Sequence, residues 1–223
     1  MQKDLDEFFT PVSETSLRDQ VADSIRRAID AGVLSPGQRL VEAEIANQMG
    51  TSRAPVREAI RLLEQEGIVT NIPRRGSFIV ELEEKDIEEI YSLRIILELL
   101  AVQEALPLSV ETLATLQELV DEMNDAADTN DMGMLVERDL EFHKTLVIQA
   151  EHGRLLEAWQ RLSAQLRLFM AMKDKLYENP HDVADTHIPL LDALSAGDVE
   201  EAQSIIGEHI LEAGELLLSN LGT

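Results

Sequence analysis

The sequence predicts a mainly α-helical protein: an N-terminal winged helix-turn-helix with a small β-hairpin wing, then an antiparallel bundle of six or seven helices. Three observations predict it. Residues 14–80 read as helix, short helix, turn, helix and hairpin. Residues 84–220 carry helical periodicity with short joints and no convincing strand. The charge divides at the same place: residues 1–80 hold 10 Lys and Arg against 12 Asp and Glu, and the remainder 9 against 31.

The elements follow in order. Residues 1–13 read as a flexible arm closed by Pro11 and Ser13. Leu17, Val21, Ile25, Ala28 and Ile29 recur at helical spacing, and Gly32 stops that helix. The stretch LSPGQRL reads as a turn and Glu42–Met49 as a short helix ended by Gly50. Thr51 or Ser52 caps a third helix that runs to Gln65, with Gly67 as its stop. IVTNIPRRGSFIV reads as two short strands joined by a Pro/Arg/Gly turn. Helices are then expected over 84–105, 109–128, 131–150, 154–173, 182–196 and 198–220, punctuated by Pro107, Asn130, Gly153, Asn179-Pro180 and Gly197. The helix around His187 has two readings. A start near Thr186 puts Pro189 in the tolerated first turn, and a start near Asp182 puts it in the interior.

Composition narrows the function. With 44% hydrophobic residues in 223, the chain can build a core. The absence of cysteine excludes a disulfide framework, a thiolate metal site and a Cys nucleophile. No apolar run approaches the roughly 18 residues of a membrane span, and the N-terminus lacks a signal-peptide core. A soluble, cytoplasmic protein with no membrane partner is expected. A net charge of -24 argues against nucleic-acid binding, but the local map reverses this. Between Ser52 and Gly76, Arg53, Arg57, Arg61, Arg74 and Arg75 face only Glu58, Glu64 and Glu66.

Arg53, Arg57 and Arg61 share one face of the third helix, while Val56, Ile60 and Leu63 line the other. A recognition helix needs this division, because arginine can fork onto guanine O6 and N7 in the major groove. Ser52 and the first N–H groups of the helix can hold a phosphate. Arg74 and Arg75 sit beside Gly76, where the backbone can approach a sugar-phosphate strand.

The segment AGVLSPGQRLVEAEIANQMGTSRAPVREAIRLLEQEGIV, followed by RRGSFIV, resembles the DNA-binding domain of the GntR family of bacterial regulators, most specifically in SRAPVREAIRLLEQEG. The resemblance implies that Arg53 and Arg57 are the main contacts, with Ser52 supporting and Gly76 in the wing. Some relatives carry a contacting arginine where this chain has Ala43, which leaves more of the specificity to the third helix and wing.

In the second half, His143, His187 and His209 interrupt apolar stripes, and Asp139 lies one turn before His143. Four polar groups facing a core need a common partner, because burying each unpaired is costly. A divalent metal is the economical partner: zinc first, with nickel, manganese or iron as alternatives. His152 and His181 fall in joints. Arg94 also interrupts an apolar face, as a buried salt bridge to Glu98 or as a bidentate clamp for a carboxylate effector.

The segments YSLRIILELLAVQEA, RDLEFHKTLV, THIPLLDAL, AGDVEEA and EHI resemble the FCD ligand-binding domain of the FadR subgroup of that family. The resemblance implies a metal held by one Asp and three His, at Asp139, His143, His187 and His209, and an Arg94 that faces the ligand. Gly153 stands where relatives often have Asn, which is expected to affect a helix start. The expected function is a homodimeric regulator, read as a repressor. It binds a short pseudo-palindromic operator in double-stranded DNA and is controlled by a small carboxylate at the metal. The expected division is arm 1–13, DNA-binding domain 14–80, and ligand-binding and dimerisation domain 84–220. The alternative is a metalloenzyme, hydrolase or oxygenase in type, fused to a DNA-binding domain.

Overall fold

The computed structural model describes residues 16–30, 32–170 and 179–219. The expected arm at 1–13 and the last residues of the helices expected to reach 173 and 220 lie outside them. The chain divides into two compact units, one ending at Ile79 and the other comprising Val80 onward together with Glu66–Ile68.

In the first unit, α1 (Leu17–Asp30) starts where the Ser16 hydroxyl accepts the Asp19 backbone N–H at 3.2 Å. It buries Val21, Ala22, Ile25 and Ile29. α2 (Glu42–Gln48) leads into α3 (Arg53–Gln65), which packs on α1 and α2 through Val56, Ala59, Ile60 and Leu63. β2 (Val69–Ile72) and β3 (Gly76–Ile79) form the expected hairpin. A third strand, β1 (Arg39–Leu40), pairs with the other edge of β3, so part of the segment read as a turn is sheet. Two residues are too few for alternation to announce a strand.

The second unit is a helical bundle: α4 (Glu84–Ala105), α5 (Val110–Asp128), α6 (Met132–Gln149), α7 (Gly153–Met170), α8 (His181–Ala196) and α9 (Val199–Ser219). Local chemistry sets the helix starts. Glu83 and Asp86 form a capping box on α4, Ser109 caps α5 and Asp131 caps α6. His152 Nδ1 accepts the Leu155 N–H at 3.2 Å, so this joint histidine starts α7, and Gly153 is its first residue. α8 takes the earlier of its two possible starts, leaving Pro189 in its interior. α4 packs on α6, α7 and α9, and α5 on α6 and α8. The close approach of α4 and α9 depends on Gly214: a Cβ there would lie 2.9 Å from Tyr91 Cγ.

Candidate metal centre and nucleic-acid interface

Asp139 and His143 project from α6, His187 from α8 and His209 from α9, and one ligand atom from each lies within 4.8 Å of all the others. His143 Nε2 is 3.2 Å from His209 Nε2. Asp139 Oδ1 is 3.4 Å from His187 Nε2 and 3.9 Å from His143 Nε2. Tetrahedral zinc sites with metal–nitrogen bonds near 2.0–2.1 Å place their ligands about 3.3 Å apart, which is the spacing of the closer pairs.

The outer nitrogens fix the tautomers. His187 Nδ1 donates to the Val183 carbonyl at 2.7 Å, so Nε2 carries the lone pair. That Nε2 is fully buried and has no hydrogen-bond partner. An orphaned acceptor aimed at two more imidazoles and a carboxylate fits a cation. His143 Nδ1 donates to Glu98 Oε2 at 2.5 Å, turning its own Nε2 to the centre.

Glu98 is the residue that sequence reasoning missed here. It is 1% exposed and also accepts from Arg94 Nε at 2.9 Å and Trp159 Nε1 at 2.7 Å. Burial alone would raise its pKa, but the charges of His143 and Arg94 and their hydrogen bonds outweigh that and hold it at about 2. Burial pushes His187 the other way for a base, down to about 4, and takes His209 well below its ordinary value. These two imidazoles are therefore neutral, as ligands must be.

A cavity of about 320 Å³ opens beside the cluster, with Asp139, His143, His209, Arg94 and Tyr91 in its wall. Arg94 satisfies both of its readings: it forms the salt bridge to Glu98 and its side chain faces the cavity. Trp159 is core, with its N–H spent on Glu98. His181 lies 3.3 Å from Asp128, away from the cluster.

In the first unit, α3 begins at Arg53, directly after Ser52, and Arg53, Arg57 and Arg61 are exposed. Arg57 is held by Glu42 at the start of α2: Nε donates to Oε1 at 2.9 Å and Nη2 to Oε2 at 2.8 Å. This clamp, 15 residues away in sequence, was not anticipated. In the turn between β2 and β3, Arg74 adopts φ +66° and Gly76 φ +106°, the latter a backbone that favours glycine. The Arg75 guanidinium sits 5.6 Å from the Phe78 ring centroid. Arg39 on β1 lies against Gly76, its Nε 3.3 Å from where a Cβ would be, and adds a third arginine to the wing.

Comparison with known proteins accounts for both units. The family described as bacterial regulatory proteins, gntR family, matches residues 17–79, and the FCD domain matches residues 89–212. The chain belongs to the GntR family. A probable D-xylose utilization operon transcriptional repressor of Paenarthrobacter nicotinovorans is 32% identical over 89% of this chain and 88% of its own. The regulator McbR of Escherichia coli is 30% identical over 88% and 90%. The structure of E. coli McbR/YncC superposes with a TM-score of 0.78 at 28% identity, covering 93% of this chain and 99% of that one. These GntR-family relatives are transcription regulators, and this chain is a transcription regulator rather than an enzyme. The metalloenzyme alternative is accordingly set aside. Among the described residues no helix is long and apolar enough to cross a membrane.

Proposed function

We propose that this GntR-family regulator is a repressor that binds a short pseudo-palindromic operator as a homodimer. In this reading, operator affinity is set by a small carboxylate effector seated at a divalent metal, zinc by preference. The observation that carries the metal reading is the buried, unpartnered His187 Nε2 facing Asp139, His143 and His209. Three neutral imidazoles and one carboxylate would leave a divalent ion with a net charge of about +1 and room for an anionic ligand. Repressor titles among the relatives support the direction of control, including the gluconate operon transcriptional repressor of Bacillus subtilis, 28% identical over 84% of this chain. Dimer symmetry would impose the pseudo-palindrome.

The residues of the chain divide the work. His187 and His143 present Nε2 because Val183 and Glu98 hold their other nitrogens. Arg94, Tyr91 and Asp139 border the space the effector would occupy, and effector binding would act on α4, α6, α8 and α9 together. Control requires that the effector bind the operator-competent and operator-released states unequally. The test is elemental analysis of the purified full-length protein, followed by gel shifts on the duplex it enriches from a random pool, with and without metal. Bound metal with no ligand-dependent change in DNA affinity would reduce the centre to a structural staple.

Two expectations arise from the geometry. Glu98→Gln should lower metal affinity by about 10- to 100-fold in a chelator competition, because His143 loses its charged orienting partner. Metal-free protein should lose stability as pH falls from about 6.5 towards about 4. His187 has its pKa depressed to about 4 by burial, so the unfolded chain binds more protons across that window. Glu98, held at about 2, adds a second loss below its ordinary value of 4.5. Thermal melts of chelator-treated protein across pH would show a midpoint rising to about pH 6.5 and then levelling; a midpoint flat between pH 4 and 6.5 would contradict it.

A further inference from the structure

The cavity beside the cluster differs in character from its inner end to its mouth, and the difference selects among carboxylates. At the inner end, Arg94 is already paired with Glu98 at 2.9 Å, so its charge is spent before a ligand arrives. With a divalent ion present and Asp139 ionised, that end has one net positive charge to offer. It calls for one anionic head, and a second carboxylate would enter a buried region with nothing left to neutralise it.

Away from the cluster, the described wall is apolar: Met170, Val183, Ile210, Ala213 and Leu216. Leu216 is 40% exposed, a large apolar side chain left against the open cavity. Hydroxyl groups laid along such a wall exchange water for no partner. The remaining charged lining residues, Asp182 and Glu212, are exposed acids that repel a second anionic group. The volume of about 320 Å³ lies at the small end of the roughly 300–1,000 Å³ range of small-molecule sites, which leaves no room for a long acyl chain or a coenzyme thioester.

We propose that the effector is a monocarboxylate with a short apolar tail, of the 2-hydroxy or 2-oxo acid class. Its head seats at the four-residue cluster and its tail lies along the Val183, Ile210, Ala213 and Leu216 wall. Dicarboxylates, sugar acids and phosphate esters are discriminated against. The proposal rests on the metal reading above and narrows it.

The experiment uses full-length, metal-loaded protein and three probes that share a 2-hydroxy acid head: 2-hydroxy-4-methylpentanoate, malate and gluconate. Calorimetric titration should give the apolar-tailed acid an affinity about tenfold or more above the other two, or roughly one decade in Kd. Leu216→Gln, on an exposed position that leaves the core intact, should remove most of that preference while metal content stays unchanged. Malate or gluconate binding as tightly as the apolar acid overturns the proposal, as does a preference that survives Leu216→Gln undiminished. If metal is bound and none of the three binds, the ligand class is wrong and the metal centre stands. If no metal is bound, both readings fail.

Discussion

Alanine at His187 is expected to strip the protein of its metal. The imidazole is fully buried, its Nδ1 is committed to the Val183 carbonyl, and its Nε2 has no hydrogen-bond partner. Removing it takes away a ligand that nothing nearby can replace, and leaves a cavity lined by His143, His209 and Asp139. Bound metal after dialysis should fall from about one equivalent per chain towards background. His143→Ala and His209→Ala should do the same, with different side effects. His143→Ala also deprives the buried Glu98 carboxylate of one donor, at a further cost of about 1–3 kcal/mol in stability. His209 is less enclosed, so its loss should cost metal with less damage to the metal-free fold. The two remaining histidines are the controls. His152→Ala removes the N-terminal cap of α7, which costs about 1 kcal/mol but leaves the metal in place. His181→Ala loses only a contact with Asp128 outside the cluster. Elemental analysis and thermal melts on the five variants separate these outcomes, and equal metal content in all five would remove the site.

The helices were legible because their ends are written locally. Ser109 and Asp131 cap, Gly197 terminates in the left-handed conformation, and the observed bounds of α4 to α9 depart from expectation by one or two residues where the structure describes them. The four candidate ligands were legible because polar residues on apolar stripes need a reason to be there. Glu98 was visible only as a partner for Arg94 at i+4, which is correct and incomplete. That its carboxylate also meets His143 and Trp159 depends on how α4 crosses α6 and α7, and no spacing rule reports such a crossing. A signal did exist. A carboxylate on a helix face otherwise built of Tyr91, Ala101 and Val102 is as anomalous as a histidine there. Trp159 carries an N–H that needs an acceptor when buried, which made Glu98 and Trp159 natural candidates for each other. The clamp of Glu42 on Arg57 escaped for the same reason: it joins two helices through space, across the turn of the helix-turn-helix motif. β1 escaped through brevity alone.

That clamp shapes the second large expected effect. Arg53→Ala and Arg57→Ala should each weaken binding to the enriched operator duplex by roughly 5- to 100-fold, the range of a lost bidentate base contact. For Arg57 this is compatible with the ion pair. Glu42 occupies the edge formed by Nε and Nη2, and a guanidinium carries five donors, so the end-on edge between Nη1 and Nη2 stays free for DNA. The Glu42 carboxyl is lowered by its hydrogen bond to Arg57, by the Arg57 charge and more weakly by Arg53 and Arg61, so it stays ionised beside the arginine face. It should therefore act in two ways: it fixes the direction of Arg57 and repels phosphates from a misaligned duplex. Glu42→Ala should weaken operator binding by about several-fold while strengthening binding to random-sequence DNA, so that specificity falls more than affinity does. The melting temperature should hardly move, because an exposed ion pair contributes little to folding. In an Arg57→Ala background, Glu42→Ala should no longer change the operator preference, since the group it orients is gone. Gel shifts at two salt concentrations, on operator and random duplexes, read all of these terms. If Glu42→Ala and Arg57→Ala prove additive in specificity, Glu42 contributes only its charge. If neither arginine substitution alters operator binding, α3 is not the helix that reads the DNA.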